Sequence, residues 1–161
     1  MILAIDPGTE QSAFVLFDES CGVIFDAFVL ENTAVILTPP EEWGRNIAIE
    51  WIESYGMPVG REVFETVYWI GRFDQAFGPL TRITRRQVKL HLCNSPRATD
   101  ANVRQALIDR FGGTREKAIG TKKTPGPLYG IKTHLWSALA VAITFTETRD
   151  KDFQRIPLNS R

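Results

Sequence analysis

The sequence predicts an α/β fold in which a mixed five-stranded sheet is flanked by helices. Two observations support this class. Three strand-like runs come first in the chain, and short apolar runs then alternate with helical patterns. The length of 161 residues fits one domain. We expect this domain to span residues 1–148 and a polar tail to span residues 149–161.

The first part of the chain supplies most of the predicted strands. Three apolar runs predict consecutive strands, at Met1–Asp6, Ser12–Phe17 and Gly22–Leu30. A Pro-Gly turn after Asp6 joins the first two strands as a hairpin. The connector over residues 32–43 contains Pro39-Pro40, which neither a helix interior nor a central strand accepts. The apolar run Asn46–Ile52 suits a buried parallel strand.

The second part alternates between helices and loops. Val63, Val67, Ile70 and Phe77 recur at helical spacing and predict a helix over Arg61–Phe77. Further elements are a strand at Leu80–Ile83, a helix at Arg85–Leu92 begun by a capping box at Thr84, a turn at Asn94–Arg97, a helix through Val103–Phe111 ended by Gly112-Gly113, and a last helix from an N-cap at Thr133 to Phe145. Residues 114–130 are rich in Gly, Lys, Thr and Pro and predict a flexible basic loop.

Opposite charges are concentrated in different parts of the sequence. Residues 1–80 carry 3 Lys+Arg and 13 Asp+Glu, whereas residues 81–132 carry 12 Lys+Arg and 3 Asp+Glu. A basic segment of this kind is typical of proteins that contact the phosphates of a nucleic acid. It is equally compatible with a solvated basic face that balances the acidic half.

Composition also limits the cellular context. No apolar run reaches the roughly 18–20 residues that cross a bilayer, and no basic segment precedes the first apolar run, as a signal peptide would require. Cys21 and Cys93 have neither metal-ligand nor disulfide-framework spacing. We therefore expect a cytoplasmic protein with reduced thiols and no membrane partner.

Three side chains stand out as candidates for chemistry. Asp6 ends the first strand, Glu50 interrupts an apolar strand, and His134 lies in the first turn of the last helix. A buried strand excludes an unpartnered carboxylate because its desolvation is costly. Each residue also has a structural interpretation: a turn-capping Asp, an ion-paired Glu and a core His. Together they offer oxygen and imidazole ligands for Mg²⁺ or Mn²⁺.

The motifs that carry these residues resemble a known family. Ile-Asp-Pro-Gly-Thr at 5–9, Ala-Ile-Glu at 48–50 and His-Leu-Trp-Ser-Ala-Leu-Ala-Val-Ala at 134–142 are similar to motifs of RuvC-type Holliday-junction resolvases, in the branch encoded by phages and prophages. Residues 97–110 also fit the family's penultimate helix. The resemblance implies a ribonuclease-H-like fold and a homodimer in the cytoplasm of a bacterial host. It also implies structure-selective nicking of branched DNA that depends on two Mg²⁺ or Mn²⁺ ions.

The same resemblance implies a set of metal ligands. Asp6, Glu50 and His134 match three of the family's four ligand positions, and Ser137 stands at the fourth, where Asp is usual. A serine hydroxyl does not supply the missing negative charge. Glu53 is a spare carboxylate, but its side chain faces the other way from Glu50 along a strand.

DNA contacts are predicted less specifically. Tyr55 or Trp51 lies where the family stacks an aromatic ring on an unpaired base, a contact that contributes about 1–3 kcal/mol. The candidates for phosphate contact are Lys89, Arg97, Arg104, Lys122, Lys123 and Lys132. The helix over Arg61–Phe77 is the candidate dimer face, and burial of that helix on the sheet is the alternative.

Two other functions compete with a nuclease. Asp-Pro-Gly-Thr also resembles the phosphate loop of actin-like ATPases and sugar kinases, but only Gly112-Gly113 faintly matches their adenosine motif. We therefore expect no nucleotide cofactor. The second competitor is a junction-binding protein whose catalytic site has decayed at Ser137.

Overall fold

The computed structural model describes residues 1–37, 46–54, 56 and 58–152. The strands are β1 (Ile2–Asp6), β2 (Gln11–Asp18), β3 (Val23–Glu31), β4 (Asn46–Trp51) and β5 (Thr81–Thr84). The helices are α1 (Asn32–Leu37), α2 (Arg61–Phe77), α3 (Arg85–Cys93), α4 (Asp100–Phe111), α5 (Arg115–Ala118) and α6 (Leu135–Asp152). Pro39-Pro40 and Tyr55 lie outside the described residues.

The strands form one five-stranded sheet in the order β3-β2-β1-β4-β5. The β1–β2 and β2–β3 pairs are antiparallel, and the β1–β4 and β4–β5 pairs are parallel. The predicted mixed sheet is thereby confirmed. Its two central strands, β1 and β4, run side by side in the same direction, so their carboxyl ends meet at one edge.

Helices cover both faces of the sheet because side chains alternate between the faces along each strand. Leu3, Ile5 and Ile49 face a cluster that includes Ile70 and Phe73 of α2. Ile2, Ala4 and Ala48 face the opposite cluster, to which α3, α4 and α6 contribute. Every residue of α6 from Ala138 to Ile143 is buried, as expected for a helix that packs across the centre of a sheet.

The structure differs from the predicted elements in the connector, in the last helix and in the loop before it. The short helix α1 lies inside the connector that was expected to have no regular element. The last helix continues to Asp152 instead of ending at Phe145. Thr133 has a φ of 39°, whereas an N-cap residue normally has an extended backbone. The N-cap prediction for Thr133 is therefore wrong.

The predicted flexible loop over residues 114–130 contains regular structure. Helix α5 opens it, and Thr121 and Thr124 close a tight turn through two backbone hydrogen bonds of 3.0 and 3.1 Å. Leu128 is fully buried in the core. Turn residues dominate the composition of this segment, but a buried leucine fixes it to the domain.

None of the helices within the described residues has the length and apolarity needed to span a bilayer.

Candidate active site

Two carboxylates lie side by side at the edge where β1 and β4 end. The parallel register pairs Ile5 with Ile49, so Asp6 and Glu50 are the next residues on neighbouring strands. Each shares its face with an alanine two positions earlier, Ala4 and Ala48, which belong to the cluster on the α6 side. Both carboxylates therefore point toward the N-terminal end of α6.

Burial makes these carboxylates unfavourable as anions. The Asp6 and Glu50 side chains are 13% and 14% exposed. Desolvation, and then the charge of Asp6, raise the pKa of Glu50 to about 7. Desolvation also raises the pKa of Asp6, although the nearby His134 opposes this shift. Glu50 Oε2 is buried and has no hydrogen-bond partner among the described residues, so no hydrogen bond offsets its loss of solvation.

The residues just before and within α6 face this pair. His134 Nδ1 lies 3.1 Å from Asp6 Oδ2, and the His134 side chain is 79% exposed, which excludes a core histidine. Residues three apart near a helix start share a face, so Ser137 points to the same side as His134. The sequence prediction that Asp6 and His134 meet in space is therefore confirmed, although their roles remain predictions.

A guanidinium completes the site. Arg85 begins α3 directly after β5, which pairs with β4. Its Nη1 lies 3.7 Å from Glu50 Oε2 and donates to Ser137 Oγ at 3.4 Å. Its Nη2 donates to Asp100 Oδ1 on α4 at 2.5 Å. Arg85 only partly offsets the charge of Glu50, because desolvation still dominates the pKa of that carboxyl.

A buried polar network holds the turn that follows Asp6. Ser12 Oγ donates to Asn32 Oδ1 at 2.7 Å, and Asn32 Nδ2 donates to the carbonyl oxygen of Gly8 at 3.0 Å. The Gly8 N–H donates to Ser12 Oγ at 3.2 Å. A Cβ on Gly8 would meet the carbonyl oxygen of Gln11. The turn therefore requires glycine, and it fixes the backbone that carries Asp6.

In the described part of the chain, no three His, Cys, Asp or Glu side chains lie close enough together to hold a metal ion as they stand. The types of donor atom at this edge nevertheless suit a divalent cation. Glu50 Oε2 is buried and accepts no hydrogen bond from the described residues, and His134 Nδ1 lies 3.1 Å from Asp6 Oδ2, so oxygen and nitrogen donors are close together. Oxygen ligands with one imidazole suit Mg²⁺ or Mn²⁺.

Comparison with known proteins finds solved structures of the same fold. No family model matches the sequence, and no curated protein matches it. The solved Thermus thermophilus RuvC structure superposes with a TM-score of 0.60 at 18% identity, covering 94% of this chain and 96% of that chain. T. thermophilus RuvC in complex with a Holliday junction substrate superposes with a TM-score of 0.58 at 17% identity, covering 93% and 94%.

The chain has the fold of RuvC. The expected ribonuclease-H-like architecture is thus confirmed over nearly the whole length of both chains. At this level of identity the RuvC likeness concerns the fold, and the chemistry has to be argued from the side chains.

Within this RuvC fold, the basic residues predicted to contact DNA are exposed or partly exposed. Lys89 lies near the carboxylates, 4.0 Å from Asp100 Oδ1. Arg104 is exposed and stacks its guanidinium 4.6 Å from the centre of the Trp136 ring. Arg97 and Lys132 are exposed, and Lys122 and Lys123 occupy the tip of the Thr121–Thr124 turn. Trp51 packs against the core cluster that contains Ile70 and Phe73 of α2, and the Arg82 guanidinium lies over its ring. These contacts favour a core role for Trp51 over stacking on a DNA base.

Sequence reasoning missed Arg85 and Asp100. Arg85, Arg86, Lys89 and Pro96 line a cleft of about 430 Å³ beside the carboxylates. A signal for Arg85 was present: the capping box at Thr84 makes residue 85 the first of its helix, immediately after the strand that pairs with β4. The contact with Asp100 depends on how α3 and α4 pack, which no local pattern encodes.

Proposed function

We propose that the chain is a divalent-cation-dependent endonuclease that nicks branched DNA. The observation that supports this most is the pair of buried carboxylates at one sheet edge, where Glu50 Oε2 accepts no hydrogen bond from the described residues. A DNA phosphodiester is the substrate class favoured by the RuvC fold. One of the similar structures holds T. thermophilus RuvC with a Holliday junction substrate.

The residues divide the work by position. Asp6, Glu50 and His134 would hold Mg²⁺ or Mn²⁺, which supplies Lewis-acid stabilisation of the phosphate and lowers the pKa of water. The Ser12–Asn32–Gly8 network keeps Asp6 in place. Water attacks phosphorus in line, the bond to the leaving sugar oxygen breaks, and a ligatable nick results. Lys89, Arg97, Arg104, Lys122, Lys123 and Lys132 would contact phosphates, and Tyr55 would stack on a base.

A nicking assay tests this proposal. We expect the protein to nick a synthetic four-way junction in Mg²⁺ or Mn²⁺, with no cut in EDTA and far slower cutting of linear duplex. Asp6→Asn should lower the nicking rate by at least about 100-fold without changing the far-UV circular dichroism. Exposed Glu53→Gln is the matched control and should retain the wild-type rate. Equal cutting by Asp6→Asn would contradict the assignment.

We also propose a homodimer formed through α2. One side of this helix is buried on the sheet by Thr66, Ile70 and Phe73. The other side leaves Phe64 and Tyr68 65% and 56% exposed. An apolar face of this kind on a helix that already packs against a core is typical of an interaction surface.

Sedimentation velocity tests the dimer. Phe64→Glu should convert a wild-type dimer to a monomer, because a charge on the exposed face of α2 would be desolvated on association. Leu90→Glu on α3, where the leucine is 51% exposed, is the matched control and should leave the dimer intact. A wild-type monomer, or a Phe64→Glu dimer, would contradict this role of α2.

A junction-binding protein without catalysis is the second candidate, and Ser137 favours it because a hydroxyl replaces an acid. It predicts salt-dependent binding to junctions with no nick under any divalent cation.

A further inference from the structure

Arg85 lies where the resemblance to resolvases leads one to expect more negative charge. A single nitrogen, Nη1, is within 3.7 Å of Glu50 Oε2 and 3.4 Å of Ser137 Oγ. Glu50 and Ser137 stand at two of the four ligand positions implied by that resemblance. A fixed positive group therefore already occupies the neighbourhood that the second and fourth positions share.

This arrangement is unfavourable for a second divalent ion. Like charges repel strongly at such distances in a partly buried site, and Ser137 brings no anion to offset the repulsion. Arg85 itself stays charged under all ordinary conditions because a guanidinium does not deprotonate in proteins. Its planar donor fork suits a phosphate oxygen.

Asp100 orients the guanidinium. Nη2 donates to Asp100 Oδ1, and Asp100 is the first residue of α4. This contact holds the outer side of the group, while Nη1 faces Glu50 and Ser137. Arg85 is anchored from the other direction by the capping box of α3, in which Thr84 and Gln87 bond reciprocally. The first turn of α3 and the first residue of α4 thus hold the Arg85 guanidinium in place in the absence of substrate.

We propose that Arg85 is a built-in cation of this site: it stands in for the second divalent ion and donates to the scissile phosphate, so that each subunit uses one divalent ion. The inference rests on the proposed nuclease function. The resemblance in the sequence implied two divalent ions. We infer instead one ion, at Asp6, Glu50 and His134, and one guanidinium, that of Arg85.

The first test counts ions without requiring activity. Mn²⁺ is titrated into the cation-free protein, and bound Mn²⁺ is measured by loss of the free-ion electron paramagnetic resonance signal. We expect one Mn²⁺ per wild-type chain and two per chain in the double variant Arg85→Ala/Ser137→Asp, which removes the guanidinium and restores the acid. Arg86→Ala, a neighbouring exposed arginine, should bind one. Two ions in the wild-type protein would overturn the proposal.

The second test uses single substitutions, so it does not depend on folding of the double variant. The wild-type nicking rate on a four-way junction should rise with Mn²⁺ concentration with a Hill coefficient of about 1, because one ion is used. At saturating Mn²⁺, Arg85→Ala should lower the rate about 100-fold, whereas Arg85→Lys should retain more activity than Arg85→Ala. An unchanged rate in Arg85→Ala overturns the role of Arg85.

The two failures are distinguishable. A wild-type protein that nicks junctions but binds two Mn²⁺ per chain overturns the role of Arg85 and leaves the nuclease function standing. A protein that binds one Mn²⁺ and nicks no branched DNA overturns the nuclease function and, with it, the phosphate contact of Arg85.

Discussion

Glu50 binds its proton more tightly in the folded chain than in the unfolded one. Its pKa rises from 4.5 to about 7, chiefly through desolvation and then through the charge of Asp6. Between these two values the folded state holds more protons, so folding stability falls as pH rises. In the cation-free protein at pH 8, Glu50 is therefore a destabilising anion, and a bound cation would remove that cost.

Replacing Glu50 by Gln should therefore stabilise the protein while abolishing function. Without cations at pH 8, we expect Glu50→Gln to raise the free energy of unfolding by about 2–3 kcal/mol, and to raise it much less at pH 5. Urea unfolding in EDTA at both pH values measures this. Exposed Glu10→Gln is the control and should change neither value. A Glu50→Gln protein that is less stable at pH 8 would contradict the burial argument.

At the residue scale, the motifs predicted a contact between Asp6 and His134, which the structure contains, and a position for Glu50 beside Asp6. Strand alternation alone puts both acids on one face, and the parallel register makes them neighbours. The position of Arg85 in the site was not predicted, because it depends on a contact with Ser137, which lies 52 positions away in the sequence. Helix packing creates that contact, and hydrophobic periodicity carries no information about it.

At the scale of elements, helix boundaries were predicted correctly where the local sequence marks them, as a capping box does. The reciprocal hydrogen bonds of Thr84 and Gln87 start α3 at the predicted residue, and α2 has its predicted bounds. The apolar stripe of α2 is rotated, however, since Phe73 is buried and Val67 is exposed. Helix α1 was missed because six residues are too few to show a period of 3.6.

The ordered segment between α5 and α6 depends on one glycine. A Cβ on Gly126 would meet the carbonyl oxygens of Lys117 and Ala118, both at the end of a short helix. We expect Gly126→Ala to lower the free energy of unfolding by about 1–3 kcal/mol, because backbone atoms must move. Thermal unfolding measures this.

Gly60→Ser is the control, because nothing lies within 4 Å of the added Cβ and Gly60 is the N-cap of α2, a position that serine suits at least as well as glycine. It should not lower the free energy of unfolding. If Gly126→Ala is as stable as the wild type, the backbone between α5 and α6 is flexible enough to accommodate the added Cβ. That result would support the sequence-based prediction of a flexible loop.

At the scale of the whole molecule, fold class followed from the order of patterns. The sequence has three strands followed by an alternation of strands and helices. Few strand orders in a mixed sheet are compatible with this pattern, and the observed order β3-β2-β1-β4-β5 is one of them. The charge pattern, in contrast, left a DNA footprint and a solvated face as equal alternatives.

Salt dependence of binding distinguishes these alternatives. We expect Lys122→Ala/Lys123→Ala to reduce the slope of log affinity against log salt by about 2 for a four-way junction, since each phosphate contact contributes about 0.9. Fluorescence anisotropy in EDTA measures the slope without cutting. Arg61→Ala, at the start of α2 in the acidic half, is the control and should keep the wild-type slope. An unchanged slope in the lysine variant favours a solvated face.

The contact between His134 and Asp6 joins positions that are 128 residues apart. A chain interrupted before residue 134 contains every strand of the sheet and both carboxylates, but it lacks the imidazole and the whole of α6. Because Ala138 to Ile143 are buried against one face of that sheet, such a polypeptide leaves this face uncovered and cannot form the contact with Asp6.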